Sequence, residues 1–167
     1  MIFTELALNG AYAINLNKIK DKRGYFARNF CKIELAEIGV KFDIAQINSS
    51  FSFKKGTIRG MHFQRPPRSE IKVIKCIKGA VYDVIVDLRE NSITYGKFCS
   101  IELNENNRTM LLVPKGFAHG FQSLCDDVEL IYFVSDNYSP ENEGNLKYDD
   151  EEVNIDWPLP LSEISDK

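Results

Sequence analysis

Short runs of alternating apolar and polar residues, separated by turn residues, constrain the fold of this chain most strongly. Side chains of a β-strand point alternately to its two faces, so a run with period two predicts a strand with one buried face. Such runs span 42–53, 57–64, 71–77, 80–88, 98–103, 110–113 and 128–134. Turn residues such as Lys78-Gly79 lie between them. The pattern predicts an antiparallel β sandwich or barrel in which hairpins join most neighbouring strands.

The length suits a single domain, 1–167, that buries a core of its own. One short helix is predicted from Cys31 to Ile38. From Asn137 onward the chain is rich in acidic residues, Asn and Pro, which predicts a looser tail. Trp157 is expected to anchor that tail onto the barrel.

Composition argues against several kinds of partner. The formal net charge is -3 and both signs are mixed along the chain, which disfavours a nucleic acid or an acidic membrane as the main partner. No run of about 18 apolar residues could span a bilayer, and the N-terminus lacks the features of a signal peptide. The four cysteines are widely spaced, without a C-x-x-C pair. A reduced, cytoplasmic protein is expected.

Alternation also sorts polar side chains by face. Gln46, Asn48 and Ser50 form one polar row. Tyr132 shares its face with apolar neighbours, which places its hydroxyl inside the barrel. If this row, Tyr132, His62 and Lys72 all face one interior, that interior is a pocket and not a packed core.

One of only two histidines, His62, stands close to two cations in sequence, Arg59 and Lys72. An imidazole can take a proton from carbon near neutral pH, and nearby cations can hold the charge left behind. Arg59 is out of phase with His62 on the strand, so its joining the pocket requires a bulge, for which Gly60 is suitable. The other histidine, His119, is expected on a Gly-rich turn.

Several spaced motifs follow one order along the chain. They are Arg23-Gly24-Tyr25-Phe26, Gln46-x-Asn48-x-Ser50, Arg59-Gly60-Met61-His62-Phe63-Gln64, Lys72, Pro114-x-Gly116-Phe117-Ala118-His119-Gly120-Phe121, Tyr132 with Tyr138, and Asp156-Trp157-Pro158. Through these motifs the chain closely resembles the cupin-fold nucleotide-sugar epimerases of the dTDP-4-dehydrorhamnose 3,5-epimerase family. The resemblance implies an all-β fold, a cupin-type antiparallel β barrel (jelly roll) with short peripheral helices.

The resemblance also implies an activity. It is the cofactor-independent epimerisation of a nucleotide diphospho-4-keto-6-deoxy sugar, dTDP-4-dehydro-6-deoxyglucose at C3 and C5, through an enolate. His62 would remove protons from the carbons beside the keto group, and Tyr132 would return a proton on the opposite face. Lys72 would stabilise the enolate oxygen, with His119 nearby. The family implies a homodimer, commonly with an N-terminal strand crossing to the partner, and neither a metal nor an organic cofactor.

Further family positions are expected to bind the substrate. They are Arg23, Phe26, Arg28, Gln46, Asn48, Arg59, His119 and Tyr138. Arg23 and Arg59 would hold the diphosphate, because each guanidinium presents a planar fork of donors. Many family members carry Glu where this chain has Arg28. A change from acceptor to donor is expected to alter the preferred nucleotide or sugar.

The C-terminus departs from the family pattern as well. Family members usually carry a Ser-Glu-Lys-Asp-like tail whose Asp supports the catalytic histidine, whereas this sequence ends Ile164-Ser165-Asp166-Lys167, one residue before that Asp would fall. Either the last residues are missing, or Asp83 orients His62, as its place in a strand allows. Asp83 is therefore included among the candidate catalytic residues.

Three alternatives stay open at this point. A metal-dependent cupin would need two or three histidines plus a carboxylate, whereas this chain offers only His62 and His119, far apart in sequence. A non-catalytic sugar-nucleotide-binding module would not need both His62 and Tyr132. An epimerase acting at C3 or C5 alone, on a related dTDP-, CDP- or GDP-linked 4-keto sugar, would need the same residues as one acting at both carbons.

Overall fold

Two antiparallel sheets facing each other form the body of the protein in a computed structural model that describes residues 1–165. The strands are β1 (Ile2–Glu5), β2 (Tyr12–Asn15), β3 (Ile19–Asp21), β4 (Gly24–Phe26), β5 (Gln46–Ser52), β6 (Ile58–Gln64), β7 (Lys72–Lys78), β8 (Ala80–Asp87), β9 (Phe98–Asn104), β10 (Met110–Val113), β11 (Phe117–Ser123), β12 (Val128–Val134) and β13 (Glu143–Asn145). One sheet has the order β1-β2-β10-β7-β12-β5 and the other β13-β6-β11-β8-β9, while β3 and β4 form a separate hairpin. The predicted all-β, cupin-type antiparallel barrel is confirmed.

Consecutive strands from β5 onward lie in opposite sheets, except for the β8–β9 pair. Within residues 1–165, hairpins join only β1 to β2, β3 to β4 and β8 to β9. The expectation that hairpins join most neighbours is therefore wrong. The turn at Gly79 instead carries the chain from one sheet to the other, with φ of +76°. This alternation is typical of a jelly roll.

Most predicted strands agree with the structure to within a few residues. The strands at 110–113 and 128–134 agree at both ends, whereas the run predicted at 42–53 is a strand only over Gln46–Ser52. The predicted helix is present as α1 (Lys32–Glu37). The largest difference is β11, which was expected to be a Gly-rich turn. Every residue of β11 is buried, so it shows no alternation of polar and apolar residues.

Three apolar clusters hold the sheets in place. One lies between the sheets and includes Ile85 and Phe121. The second covers the outer face of the six-stranded sheet, where Leu35 of α1 packs. The third covers the outer face of the five-stranded sheet and includes Trp157, whose indole nitrogen donates to the carbonyl of Tyr148 at 2.8 Å. Trp157 thus anchors the tail, as expected.

The four cysteines are free thiols. Burial raises the pKa of Cys76 to about 12 and that of Cys99 to about 11. Both thiols therefore stay protonated near neutral pH and act as small apolar groups. Within the described residues, none of the helices combines the length and apolarity that crossing a membrane requires.

Candidate active site

A cavity of about 270 Å³ opens between the two sheets. Eight residues expected in the site line it: Gln46, Asn48, Arg59, His62, Lys72, His119, Tyr132 and Tyr138. Along β12, the inward-facing residues change from Tyr132 at the cavity to Leu130 and Val128 in the core. The pocket therefore occupies one end of the space between the sheets, and apolar side chains fill the remainder.

A β-bulge brings Arg59 and His62 to the same wall of the cavity. On β11, His119 pairs with His62 and Phe121 pairs with Arg59, so three steps on β6 match two on β11. The extra residue places both side chains on the inner face. Gly60 adopts φ of +128°, and a Cβ there would lie 2.4 Å from Cα of Gly120. The predicted bulge at Gly60 is confirmed.

The imidazole of His62 lies at the mouth of the cavity, with 41% of its side chain exposed. Its Nδ1 is 2.6 Å from Oδ1 of Asn145, the residue directly opposite on β13. Glu143, two residues earlier on the same strand, places a carboxylate oxygen 4.0 Å from the same nitrogen. Sequence reasoning missed both residues, because β13 is a three-residue strand inside a segment expected to be a loose tail.

The phenol of Tyr132 belongs to the opposite wall, on the six-stranded sheet. Its hydroxyl lies 2.8 Å from Oγ of Ser50 on β5. Burial raises the pKa of Tyr132, and the hydrogen bond with Ser50 only partly offsets this effect. The hydroxyl therefore carries its proton throughout the neutral pH range.

Lys72 is the ammonium group inside the cavity. Its Nζ lies 3.1 Å from a carboxylate oxygen of Glu70, and the two side chains are only 12% and 11% exposed. Both residues line the cavity. Glu70 was not among the expected site residues, although in an extended chain a residue two positions before Lys72 points to the same side.

Asp83 does not orient His62. Its Oδ1 lies 2.8 Å from Nε2 of His119, and both side chains are buried. The register explains this, because β8 pairs with β11, whereas His62 is on β6, at the other edge of β11. Burial raises the pKa of Asp83, while His119 and Lys72 act in the opposite direction. Within residues 1–165, Oδ2 of Asp83 has no hydrogen-bond partner.

Three expected substrate-binding residues lie away from the cavity of their own chain. Arg23 and Phe26 belong to the β3–β4 hairpin, and Arg23 pairs with Asp21. Arg28 pairs with Glu34 of α1. The hairpin lines a surface depression together with Lys75, whose side chain is out of phase with the inward-facing Lys72. Within one chain, these residues therefore lie behind the sheet that carries Tyr132.

The entrance of the cavity is held by hydrogen bonds between loops and strands. Oε1 of Gln46 accepts a bond from the backbone nitrogen of Tyr138 at 2.7 Å, and the hydroxyl of Tyr138 donates to Glu143 at 3.1 Å. Arg59 donates to Oγ of Ser52 at 3.0 Å. The guanidinium of Arg59 is thereby fixed at the mouth, with further N–H groups left for an anion.

The described residues contain no group of three or more His, Cys, Asp or Glu side chains arranged to hold a metal ion. Asp166 and Lys167 lie outside the described residues. The supporting Asp of the family would fall one residue after Lys167, so the expectation that such an Asp supports the catalytic histidine stays a prediction.

Comparisons with known proteins agree with this geometry. The family model described as dTDP-4-dehydrorhamnose 3,5-epimerase matches residues 5–167. An enzyme of that name from Sinorhizobium fredii is 41% identical over 162 residues, which cover 95% of this chain and 81% of that protein. The crystal structure of one from Elizabethkingia anophelis superimposes with a TM-score of 0.93 at 37% identity, covering 98% of this chain and 92% of that one.

A third relative has been solved with a sugar nucleotide. It is dTDP-6-deoxy-D-glucose-3,5-epimerase from Legionella pneumophila in complex with dTDP-4-keto-L-rhamnose. It has a TM-score of 0.89 and 32% identity, and the match covers 96% of this chain and 86% of that one. The motifs, the cavity and these matches agree: the chain belongs to the dTDP-4-dehydrorhamnose 3,5-epimerase family of isomerases.

Proposed function

We propose that this protein epimerises dTDP-4-dehydro-6-deoxyglucose at C3 and C5. The observation that supports this most is the placement of His62 and Tyr132 on opposite walls of one cavity, with Lys72 between the same two sheets. Inversion at carbon needs a proton acceptor on one side of the sugar ring and a donor on the other. A cavity with both groups on one wall would permit exchange of a proton but not inversion.

Each inversion follows one sequence of bond changes. The unbonded Nε2 of His62 takes the proton from the carbon beside the keto group, and the electron pair of the C–H bond moves to form the enolate. The ammonium of Lys72 donates a hydrogen bond to the enolate oxygen. The electron pair then returns to the carbon and takes the phenolic proton of Tyr132 on the opposite face. Exchange with solvent restores both groups.

The anionic end of the substrate is held at the mouth of the cavity. Arg59 offers its remaining N–H groups to the diphosphate there. Tyr138, which is exposed and held by Gln46 and Glu143, packs against the ligand as it enters. Thymidine is the proposed nucleotide, and turnover of the cytidine and guanosine analogues tests this choice. A clearly faster rate with either analogue contradicts it.

A homodimer forms part of the proposal. On the open part of the six-stranded sheet, Ile47 is 59% exposed and Ile77 is 38% exposed, and the neighbouring Phe53 is 75% exposed. On the hairpin, Phe26 is 70% exposed. Large apolar groups clustered on one face are typical of an interface. A second copy covering this face would bring Arg23 and Phe26 to a cavity that their own chain does not reach.

The shared core between the sheets supports a single domain, and the four free thiols support a reducing cytoplasmic compartment. Neither feature adds to the chemistry of the cavity.

Sedimentation analysis of the purified protein tests the oligomeric state. We expect a dimer, and a monomer at all concentrations would contradict the proposed homodimer.

Incubation with dTDP-4-dehydro-6-deoxyglucose in heavy water, followed by NMR, tests the activity. Deuterium at C3 and C5 with inversion at both carbons is expected. Label and inversion at one carbon would indicate an epimerase that acts at C3 or C5 alone. Binding of the sugar nucleotide without any label would indicate a non-catalytic module.

A further inference from the structure

Glu70 places a carboxylate inside a cavity that must bind a negatively charged substrate. Its oxygen lies 3.1 Å from Nζ of Lys72, and both side chains are nearly buried. A nearly buried carboxylate is costly unless its charge is paired and hydrogen-bonded. Because Glu70 lies beside Lys72 in the lining of the cavity, we expect its carboxylate to have a role in the site.

The carboxylate of Glu70 is held from a second side by Gln64. The amide nitrogen of Gln64 lies 3.2 Å from Oε2 of Glu70, and it also contacts the carbonyl of Arg68 at 2.9 Å. The amide oxygen of Gln64 accepts a bond from the backbone of Ser139 at 2.6 Å. Gln64 is buried and lies at the end of β6, two residues after His62. The position of Glu70 is therefore set by the strand that carries the base.

Lys72 needs such a restraint more than Arg59 does. A lysine side chain is a mobile point charge on a flexible stem, whereas Arg59 is already fixed by Ser52. A substrate diphosphate offers more negative charge than the neutral keto group of the sugar. An unrestrained Lys72 would move toward the diphosphate and leave the keto oxygen without its donor.

We propose that Glu70 is a positioning residue that holds the ammonium of Lys72 at the sugar end of the cavity. This inference rests on the proposed function, because it assigns Lys72 to the enolate oxygen. The ion pair also neutralises the positive charge of Lys72, so Arg59 provides most of the electrostatic attraction for the diphosphate. The Gln64–Glu70–Lys72 chain thus connects the strand of the base with the strand of the enolate donor.

The test compares the variants Glu70→Ala, Glu70→Asp and Glu70→Gln with the wild type. Loss of the restraint in Glu70→Ala is expected to lower kcat about tenfold, since a preorganised donor is lost, while KM stays equal or falls. Glu70→Asp shortens the side chain and moves the carboxylate away from Lys72, so it should lower kcat as well. This variant provides the test if the alanine variant does not fold. Glu70→Gln keeps an acceptor for Lys72, and its kcat should lie between those of the alanine variant and the wild type.

A binding measurement separates restraint from substrate contact. Removal of the negative charge in Glu70→Ala and Glu70→Gln should tighten the binding of thymidine diphosphate, measured calorimetrically, about threefold or more. Asp43→Ala is the matched control, since it removes an exposed ion pair with Lys32 away from the cavity. It should leave kcat and binding unchanged.

The outcomes distinguish this inference from the proposed function. An active wild type with unchanged kcat in Glu70→Ala and Glu70→Asp overturns the positioning role. A raised KM with unchanged kcat, or weaker binding of thymidine diphosphate, also overturns it, because Glu70 would then contact the substrate. A folded wild type that turns over no 4-keto sugar nucleotide contradicts the proposed function instead.

Discussion

Nδ1 of His62 lies 2.6 Å from Oδ1 of Asn145, directly across the β6–β13 pair. Because an amide oxygen only accepts, this contact places the proton of a neutral imidazole on Nδ1 and leaves the lone pair on Nε2. The nitrogen that is free of protein contacts within residues 1–165 is thus the one prepared to act as a base. A short strand outside the main motifs sets this arrangement.

Replacement of Asn145 by alanine should therefore lower kcat by about 10- to 100-fold, by analogy with loss of the partner that orients a metal-bound histidine, with little change in KM. Asn145→Asp keeps an acceptor and should retain more activity than the alanine variant. Steady-state kinetics check this, with Asn106→Ala, in an exposed loop, as control. Equal activity of Asn145→Ala and wild type would show that another group orients His62. A large loss in Glu143→Gln would then identify Glu143, whose carboxylate oxygen lies 4.0 Å from the same nitrogen.

Tyr132→Phe should separate proton exchange from inversion. His62 can still remove a proton and return a deuteron on the same face, so label should enter while inversion falls at least about 100-fold, as expected for loss of a general acid. NMR in heavy water reads both quantities. Tyr82→Phe is the matched control, because Tyr82 packs against Trp157 on the outer face. Inversion at a normal rate in Tyr132→Phe would remove the phenol from the reaction.

Asp83→Asn should affect stability and activity in opposite directions. Burial raises the pKa of Asp83, so the folded protein binds this proton more tightly than the unfolded chain and the ionised carboxylate destabilises the fold. The variant should therefore melt at a higher temperature than wild type at pH 8. The difference should shrink as the pH falls and Asp83 itself becomes neutral. Thermal unfolding at pH 8 and pH 5 measures this.

The activity of Asp83→Asn should fall because His119 loses the carboxyl group to which its Nε2 is bonded in the cavity wall. A variant with lower melting temperature at pH 8 would show that the ion pair outweighs the cost of burial. Full activity would show that the orientation of His119 does not depend on Asp83.

Gly60→Ala should distort the bulge that aligns Arg59 with His62 and lower the stability of the protein. The added Cβ would lie 2.4 Å from Gly120 and 2.8 Å from the carbonyl of His119. Backbone strain and overpacking together should cost about 2–4 kcal/mol. Gly24→Ala is a matched control, since Gly24 has φ of +132° but a Cβ added there would meet no atom within 4 Å. Chemical denaturation of both variants compares the two costs, and equal losses would mean that the close approach to Gly120 is not limiting.

A mixture of two inactive proteins tests whether a hairpin completes the cavity of a partner. Arg23→Ala and His62→Ala are each expected to be nearly inactive alone. Refolded together, they should recover about a quarter of wild-type activity, because half of randomly assembled dimers are mixed and each has one intact site. Control mixtures of His62→Ala with Tyr132→Phe should stay inactive, because both defects lie in the same cavity. No recovery in the first mixture would place Arg23 in the site of its own chain, or in none.

The sequence predicted seven strands, β5 to β10 and β12. The alternation of apolar and polar residues indicated most of them, because one face of such a strand lies against the core. It also predicted the bulge, since Arg59 and His62 differ by an odd number of positions yet were expected on one wall. It failed at β11, which was expected to be a Gly-rich turn. It also missed β1 to β4 and β13, which have only three or four residues each, too few for a pattern to appear.

The sequence also did not predict which residues contact each other across neighbouring strands. Asp83 was assigned to His62 from the position of each in its own strand, but the pairing of β8 with β11 gives it to His119. Asn145 and Glu70 carried no motif that sequence reasoning recognised. Their contacts depend on the order of the strands, which the hydrophobic pattern leaves undetermined.

The alternation of successive strands between the two sheets has a consequence for the reaction. Facing sheets pack about 10 Å apart, and a sugar ring with a reacting group on each side needs a gap of about that width. The span between acceptor and donor is therefore a property of the whole barrel, not of any local loop. A substitution that changes the thickness of the distant apolar core would alter the rate without touching a single group in the cavity.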